Sequence, residues 1–301
     1  MQNILDLIEA FRRSKTLFAA VELGIFDGQR PAECKELRRL LEACASLGLL
    51  EKRGDDFVNT PDADKYLGTH SPDTLTGYIR YSNQVLYPMW GHLEDAVREG
   101  THRWKQTYNL DGPLFSHFFR TDEAMREFLM GMHGFGQLSS PAIVSAFDLS
   151  RFQHFVDLGG ATGHLAEAAR LRYPHMRTMV VDLPKVAAMF PGVQAGDFFT
   201  DPLPPADLYA CGRILHDWSD DKINTLLRKI YDSLPPGGGF LIAEKLLENT
   251  AAHMQDLNML VVTEGRERTA DEYAALVQRA GFSTVESRRT ATPLDATLAI
   301  K

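Results

Sequence analysis

The chain reads as an α/β protein in which a mainly helical, winged-helix-like domain precedes a mostly parallel seven-stranded sheet with an antiparallel edge hairpin. Three observations predict this. From about residue 151, short apolar runs alternate with helix-patterned segments, the order of a parallel sheet covered on both faces. One run, Phe155–Leu158, ends in the glycine turn Gly159-Gly160-Ala161-Thr162-Gly163. Upstream, helical patterns lead into a small hairpin.

Residues 3–23 predict an amphipathic helix. Ile4, Leu5, Ile8, Phe11 and Leu17-Phe18 recur at helical spacing, and Gly24 stands where a helix stops. Leu37 to Leu50 predicts a second helix, closed by Gly48. Leu49–Lys52, the turn Gly54-Asp55-Asp56 and Phe57–Asn59 then predict a hairpin. Helices followed by a hairpin make a winged-helix arrangement over residues 1–75, which raises DNA binding as an alternative. Charge disfavours it: residues 1–70 carry ten basic and twelve acidic side chains, and Lys35, Arg38 and Arg39 are diluted by Glu33, Glu36 and Glu42. Dimerisation and covering a substrate suit this domain better.

Residues 76–150 read as a helical linker rich in large apolar side chains, among them Tyr78, Tyr81, Trp90, Phe128 and Phe135. Such a stripe is chiefly core, and beside a cofactor domain it also suits an apolar planar substrate. In residues 151–301 the predicted strands are 155–158, 178–181, 193–195, 207–211 and 239–244. Two more, 283–288 and 295–300, join through Thr290–Pro293 as an edge hairpin.

Bulk properties narrow the function. The 301 residues carry a formal net charge of −8, against a nucleic-acid partner. No apolar run approaches the roughly 20 residues of a membrane span. The start Met-Gln-Asn-Ile-Leu-Asp lacks an export signal, so a cytoplasmic protein is expected. Cys34, Cys44 and Cys211 have neither disulfide nor metal spacing and fit a reducing compartment.

The chemistry begins at the turn. Glycines after a buried strand let a ligand approach the backbone, although such turns also occur for structural reasons alone. A second apolar run, Met179–Val181, ends at Asp182, 22 positions after Gly160, where a carboxylate can accept ribose hydroxyls. The turn lacks the Lys and Ser/Thr of a phosphate loop, and its adjacent glycines depart from the dinucleotide fingerprint. An acid, Asp157, before the glycines suits a nucleoside cofactor without a pyrophosphate, and S-adenosylmethionine fits. After the third strand, Gly196-Asp197-Phe198-Phe199 could hold an adenine through Asp197 and Phe198, or simply cap a helix with core Phe residues. His216, in Arg213-Ile214-Leu215-His216-Asp217-Trp218, could be a general base. Taken alone it reads first as a surface His beside a helix start at Ser219-Asp220-Asp221. Glu244, ending the fifth strand, and Glu267 shift that balance, because a carboxylate on the far imidazole nitrogen would fix the tautomer. No His/Asp/Glu spacing predicts a metal.

These residues carry a resemblance. The chain resembles the plant-type, class I S-adenosylmethionine-dependent O-methyltransferases, and within them the acetylserotonin (hydroxyindole) O-methyltransferase group and acetylserotonin methyltransferase-like proteins. The matching wording is Trp90–Leu93 through Val97–Gly100, Asp157–Gly160, Gly196–Phe199 through Asp201–Pro204, Arg213–Trp218, and Leu257–Leu260 through Thr263–Gly265. It covers nearly the whole chain. The resemblance implies a Rossmann-like S-adenosylmethionine methyltransferase domain, with S-adenosylhomocysteine as product and no metal. It implies a cofactor site of Asp157, Gly159, Gly160, Asp182, Leu183, Gly196, Asp197, Phe198 and Arg213. The implied base is His216, flanked by Glu244 and Glu267. The implied substrate site is Tyr87, Trp90, Met130, His133, Asp217, Asn258, Met259 and Val262, and the implied assembly is a homodimer interlocked through the N-terminal helices.

The expected activity is therefore O-methylation of a small phenolic or hydroxyindole-like molecule. The alternative is a non-catalytic or repurposed family member that binds the cofactor. Ala161 stands where the family often has a third glycine. Val262 stands where the acetylserotonin enzymes carry a Gln, which turns the reading away from acetylserotonin itself. Three stretches look short, around 27–33, 185–191 and 249–254, as though residues of the family were missing here. Between Val180 and Ala195 the expected room for a parallel crossover is small.

Overall fold

A computed structural model describes residues 2–28 and 36–301. The expectations placed on Glu33, Cys34 and Lys35, and on most of the short stretch at 27–33, lie outside the described residues. The chain opens with α1 (Gln2–Glu22) and α2 (Leu37–Ser46), then the antiparallel hairpin β1 (Leu50–Arg53) and β2 (Asp56–Asn59). In α3 (Pro61–Leu67), Thr60 accepts the Ala63 N–H and Pro61 sits in the first turn, where its missing N–H costs nothing. There follow α4 (Thr76–Tyr81), α5 (Tyr87–Trp90), α6 (Leu93–Glu99), α7 (Trp104–Tyr108), α8 (Leu114–Phe118), α9 (Asp122–Gln137) and α10 (Ser140–Ser145).

The chain forms two compact units, one running to Pro88 and including Thr121–Gly134, the other comprising Met89–Arg120 and Phe135–Lys301. In the first, Val21, Ile25, Phe26, Leu41, Leu50, Phe57, Leu67 and Ile79 close a core between the helices and the hairpin, the winged-helix arrangement. The helical region 76–150 is divided between the units. Early in α9, Phe128 meets the Tyr81 ring edge-on at 5.4 Å in the first unit. Later in the same helix, Phe135 lies against Arg213 in the second.

The second unit holds β3 (His154–Leu158), α11 (His164–Arg172), β4 (Arg177–Asp182), α12 (Pro184–Met189), β5 (Val193–Ala195), β6 (Leu208–Gly212), α13 (Asp220–Ser233), β7 (Gly239–Glu244), α14 (Thr250–Val262), α15 (Ala270–Ala280), β8 (Thr284–Arg288) and β9 (Asp295–Ile300). The sheet order is β5-β4-β3-β6-β7-β9-β8, parallel as far as β7 and antiparallel across the edge hairpin. The interval that looked too short for a crossover is long enough. The six residues of α12, with Pro184 in the first turn, carry the chain from β4 to β5.

β3, β6 and β7 are buried almost throughout, so their sequences are near-continuous apolar runs. One face packs under α13 and α15 through Ile223, Leu226, Ile230, Tyr273 and Leu276. The other packs under α10 and α11 through Ile143, Val144, Leu165 and Ala169. The carboxyl ends of β3, β4, β5, β6 and β7 therefore open on one edge, where ligands bind in open α/β sheets.

Candidate active site

Two constellations occupy that edge, both within the second unit. The first surrounds the glycine turn. Gly159 has φ 70°, and a side chain there would strike Ile214 and the Phe198 ring; one at Gly160 would strike the Asp157 carboxylate. Asp157 is 1% exposed and its Oδ2 has no hydrogen-bond partner. Burial, with Asp182 nearby, pushes its carboxyl up to about 7. Asp182 accepts the Ala161 N–H on Oδ2 at 2.8 Å and the Leu183 N–H on Oδ1 at 2.7 Å. Burial lifts it to about 6 against the pull of those two donors. Gly196 donates its N–H to the Asp182 carbonyl at 2.9 Å.

Phe198 therefore does reach the turn. Asp197 accepts the Phe199 N–H at 2.8 Å, so one of its oxygens serves as a local cap. Arg213, in the left-handed region at φ 58°, donates its N–H to the Ala243 carbonyl and lies 4.6 Å over the Phe135 ring. Its Nη1 is buried without a partner. A bare turn, an orphaned buried acid and an orphaned guanidinium nitrogen together fit a cationic nucleoside cofactor with an amino acid end.

The second constellation centres on His216, which lies in a single 3₁₀ turn, Leu215–Asp217. It is 3% exposed, which corrects the surface reading of this histidine. Nδ1 is 2.8 Å from Glu267 Oε1 and 3.3 Å from Glu244 Oε2, while Nε2 is 3.7 Å from Asp217 Oδ1. One nitrogen carries one proton, so Nδ1 bonds Glu267 and leaves Glu244 Oε2 unbonded. Glu244 Oε1 instead accepts the N–H groups of Ile214 and Leu215 at 3.0 and 2.8 Å, which fixes the turn that presents the imidazole.

Burial alone would push His216 down; Glu244, Glu267 and Asp217 outweigh it and hold the imidazole up at about 10. Burial raises Glu244 to about 7, against the pull of His216. Burial likewise raises Asp217 to about 6. His216, Glu244 and Glu267 offer three donor atoms within 4.8 Å of one another, a cluster that spacing in the sequence concealed and that is near enough for one cation. The 2.8 Å Nδ1–Oε1 contact has the length of a direct hydrogen bond, which accounts for the arrangement without an ion.

Of the expected substrate residues, Trp90 and Asn258 meet: the indole N–H donates to Asn258 Oδ1 at 2.9 Å. Met259 and Val262 are buried in α14, and the Val262 carbonyl accepts the Trp104 indole N–H at 2.8 Å. Tyr87, Met130 and His133 belong to the first unit, where Tyr87 packs edge-on against Phe18.

Sequence reasoning missed Gly265, whose Cα faces the His216–Asp217–Trp218 backbone so closely that a side chain would overlap the His216 carbonyl. It also missed Arg268, a fully buried charge beside Glu267. The signals were the place of Gly265 at the end of the matching wording Thr263–Gly265 and that of Arg268 beside Glu267.

The O-methyltransferase domain family matches residues 90–283. The human probable bifunctional dTTP/UTP pyrophosphatase/methyltransferase protein is 39% identical over 99% of this chain. The chain spans about half the length of that relative, 54%. Human acetylserotonin O-methyltransferase is 36% identical over 98% of this chain and 96% of its own. Both alignments run over 332 positions against 301 residues here, so the relatives carry residues this chain lacks. The crystal structure of human N-acetylserotonin methyltransferase in complex with SAM superposes with a TM-score of 0.95, covering 100% of this chain and 97% of that one at 36% identity.

Proposed function

Since this chain belongs to the O-methyltransferase family, we propose that it methylates a hydroxyl of a small aromatic molecule with S-adenosylmethionine, and that His216 is the general base. The observation that carries this reading is the His216 Nδ1–Glu267 Oε1 bond of 2.8 Å at the sheet edge that also bears the glycine turn and Asp182. With Nδ1 committed to Glu267, Nε2 is the nitrogen left to take a phenolic proton. When bound, S-adenosylmethionine supplies a methyl carbon activated by its sulfonium. Asp182, Asp157 and Arg213 would hold it, with Phe198 beside the turn.

A phenol has a reference pKa near 10. A positioned base is worth about 10²–10⁴-fold in rate, and alignment and exclusion of water supply the rest. Asp217 and Asn258 are the polar groups assigned to orient the substrate. The buried side chain of Val262 offers no amide there, which favours acceptors other than acetylserotonin.

We further assign homodimerisation to α1. Ile4, Leu7, Ile8 and Phe11 are 53–68% exposed on it, an apolar face that a second copy would cover. Among the described residues no helix is long and apolar enough to cross a membrane. The free buried thiols Cys44 and Cys211 support a reducing, cytoplasmic setting.

Calorimetric titration with S-adenosylmethionine and S-adenosylhomocysteine tests the cofactor. A panel of phenols and hydroxyindoles read by mass, one CH₂ heavier on turnover, tests the reaction. A folded protein that binds neither cofactor form overturns the reading.

A further inference from the structure

We infer that Arg268 is the positioning residue that sets the geometry between His216 and Glu267. The inference rests on the reading of His216 as the base. Arg268 is 1% exposed; its Nε is buried without a hydrogen-bond partner, so the bonds that offset the burial of the guanidinium come from its two Nη atoms. Its Nη1 donates to two carbonyls at once, Leu215 at 3.3 Å and Arg266 at 3.0 Å. Those are the residues immediately before His216 and before Glu267. One nitrogen therefore joins the peptide that presents the base to the peptide that presents its acid.

The same residue reaches the other two segments of the site. Its Nη2 pairs with Asp220 Oδ1 at 2.6 Å, at the start of α13, just beyond the His216 turn. Its main chain bridges Leu246, and its carbonyl accepts the Leu247 N–H at 2.9 Å, two and three residues past Glu244 at the end of β7. The segments bearing His216, Glu244 and Glu267 come from distant parts of the chain, and Arg268 bonds to all three. It touches neither the imidazole nor a carboxylate of the trio, so it acts on them through the backbone. Planarity matters: a guanidinium fork serves several acceptors in fixed directions, and a lysine ammonium serves one or two on a flexible stem.

The test needs no methyl acceptor. Protein labelled with ¹⁵N-histidine and saturated with S-adenosylhomocysteine is examined by NMR, with the His216 Nδ1–H signal assigned by its loss in His216→Asn. The wild type is expected to show a low-field, slowly exchanging Nδ1–H. Its ring should keep that charge to well above neutral pH, because Glu244, Glu267 and Asp217 all face it, with Arg213 acting on Asp217.

Arg268→Lys and Arg268→Met are expected to lose that signal and to lower the ring's titration by about one unit or more. S-adenosylhomocysteine affinity should stay within about threefold, a change below 1 kcal/mol. Asp220→Asn, which leaves both carbonyl bonds in place, should keep the signal. If Arg268→Met does not fold, Arg268→Lys decides by the same readings. Variants that melt earlier yet keep the signal and titration of the wild type would show a purely structural role and overturn the proposal. Absence of the signal in the wild type would overturn it together with the base reading.

Discussion

Asp182 Oδ2 accepts the backbone N–H of Ala161 at 2.8 Å, so the acid expected to grip a ribose also pins the glycine turn. Ala161 is held there at φ 49°, a left-handed conformation that costs an L-residue about 1–2 kcal/mol. The second oxygen takes the Leu183 N–H, which ties the turn to the end of β4 and the start of α12.

Asp182→Ala should therefore weaken S-adenosylhomocysteine by more than the loss of ribose bonds alone. An analogue lacking both ribose hydroxyls isolates the second contribution. If Asp182 only bonds the ribose, the substitution leaves that analogue's affinity untouched. Because the acid also holds the turn, we expect the analogue to weaken at least about fivefold, 1 kcal/mol. Calorimetry on the four combinations decides.

His216→Ala should bind S-adenosylhomocysteine within about twofold of wild type and lose about 10²–10⁴-fold in turnover on the best phenolic acceptor. Turnover within tenfold of wild type would sink the base assignment.

The pH dependence follows from the carboxylates around that ring. With His216 held up at about 10, the transfer rate on saturating cofactor should climb as pH rises above neutrality, because only the neutral imidazole takes a proton. Glu267→Gln removes one of the charges holding the proton, so the rise should move to lower pH while its plateau falls. A rise that stays in place or moves upward contradicts the electrostatic account.

The same group is linked to stability. A folded pKa raised above the unfolded value near 6.5 stabilises the fold fully below pH 6.5, and that contribution is lost as pH rises through about 10. The stability gap between wild type and His216→Ala, read by chemical denaturation, should accordingly shrink between pH 6 and pH 10. A constant gap would mean that His216 is not charged in the folded state.

Gly265→Ala should cost about 1–3 kcal/mol of stability, because the added methyl group overlaps the His216 carbonyl and the Trp218 N–H. Turnover should fall further than the folded fraction does, since the strain falls on the turn carrying the proposed base, His216. Wild-type melting and turnover would show that this close approach does not bear on the site.

Much of the fold is legible because burial writes itself into local pattern. β3, β6 and β7 are apolar runs since both faces are covered, and Gly24 marks the end of α1 by its backbone freedom. The glycine turn and Asp182 are legible for a similar reason: a tight strand–turn–helix unit and its neighbour are close in sequence. The proposed catalytic trio, His216, Glu244 and Glu267, is only half legible. His216 beside Ser219-Asp220-Asp221 has the local look of a surface helix start, and nothing in those residues reports that Gly265 and Glu267 pack against His216 from 49 and 51 positions away.

The sequence by itself determined the order of strands and helices, the cofactor turn, the acid after the second strand and the family resemblance, all properties of short segments or of wording. Only the tertiary structure decided which nitrogen of His216 meets which carboxylate, that Glu244 spends one oxygen on backbone N–H groups, and that Arg268 joins the segments. Those relations depend on contacts of 2.6–3.3 Å between residues 21 to 53 positions apart. Such distances are set by how β6, β7 and the Gly265–Arg268 segment pack, and local periodicity carries no record of that packing.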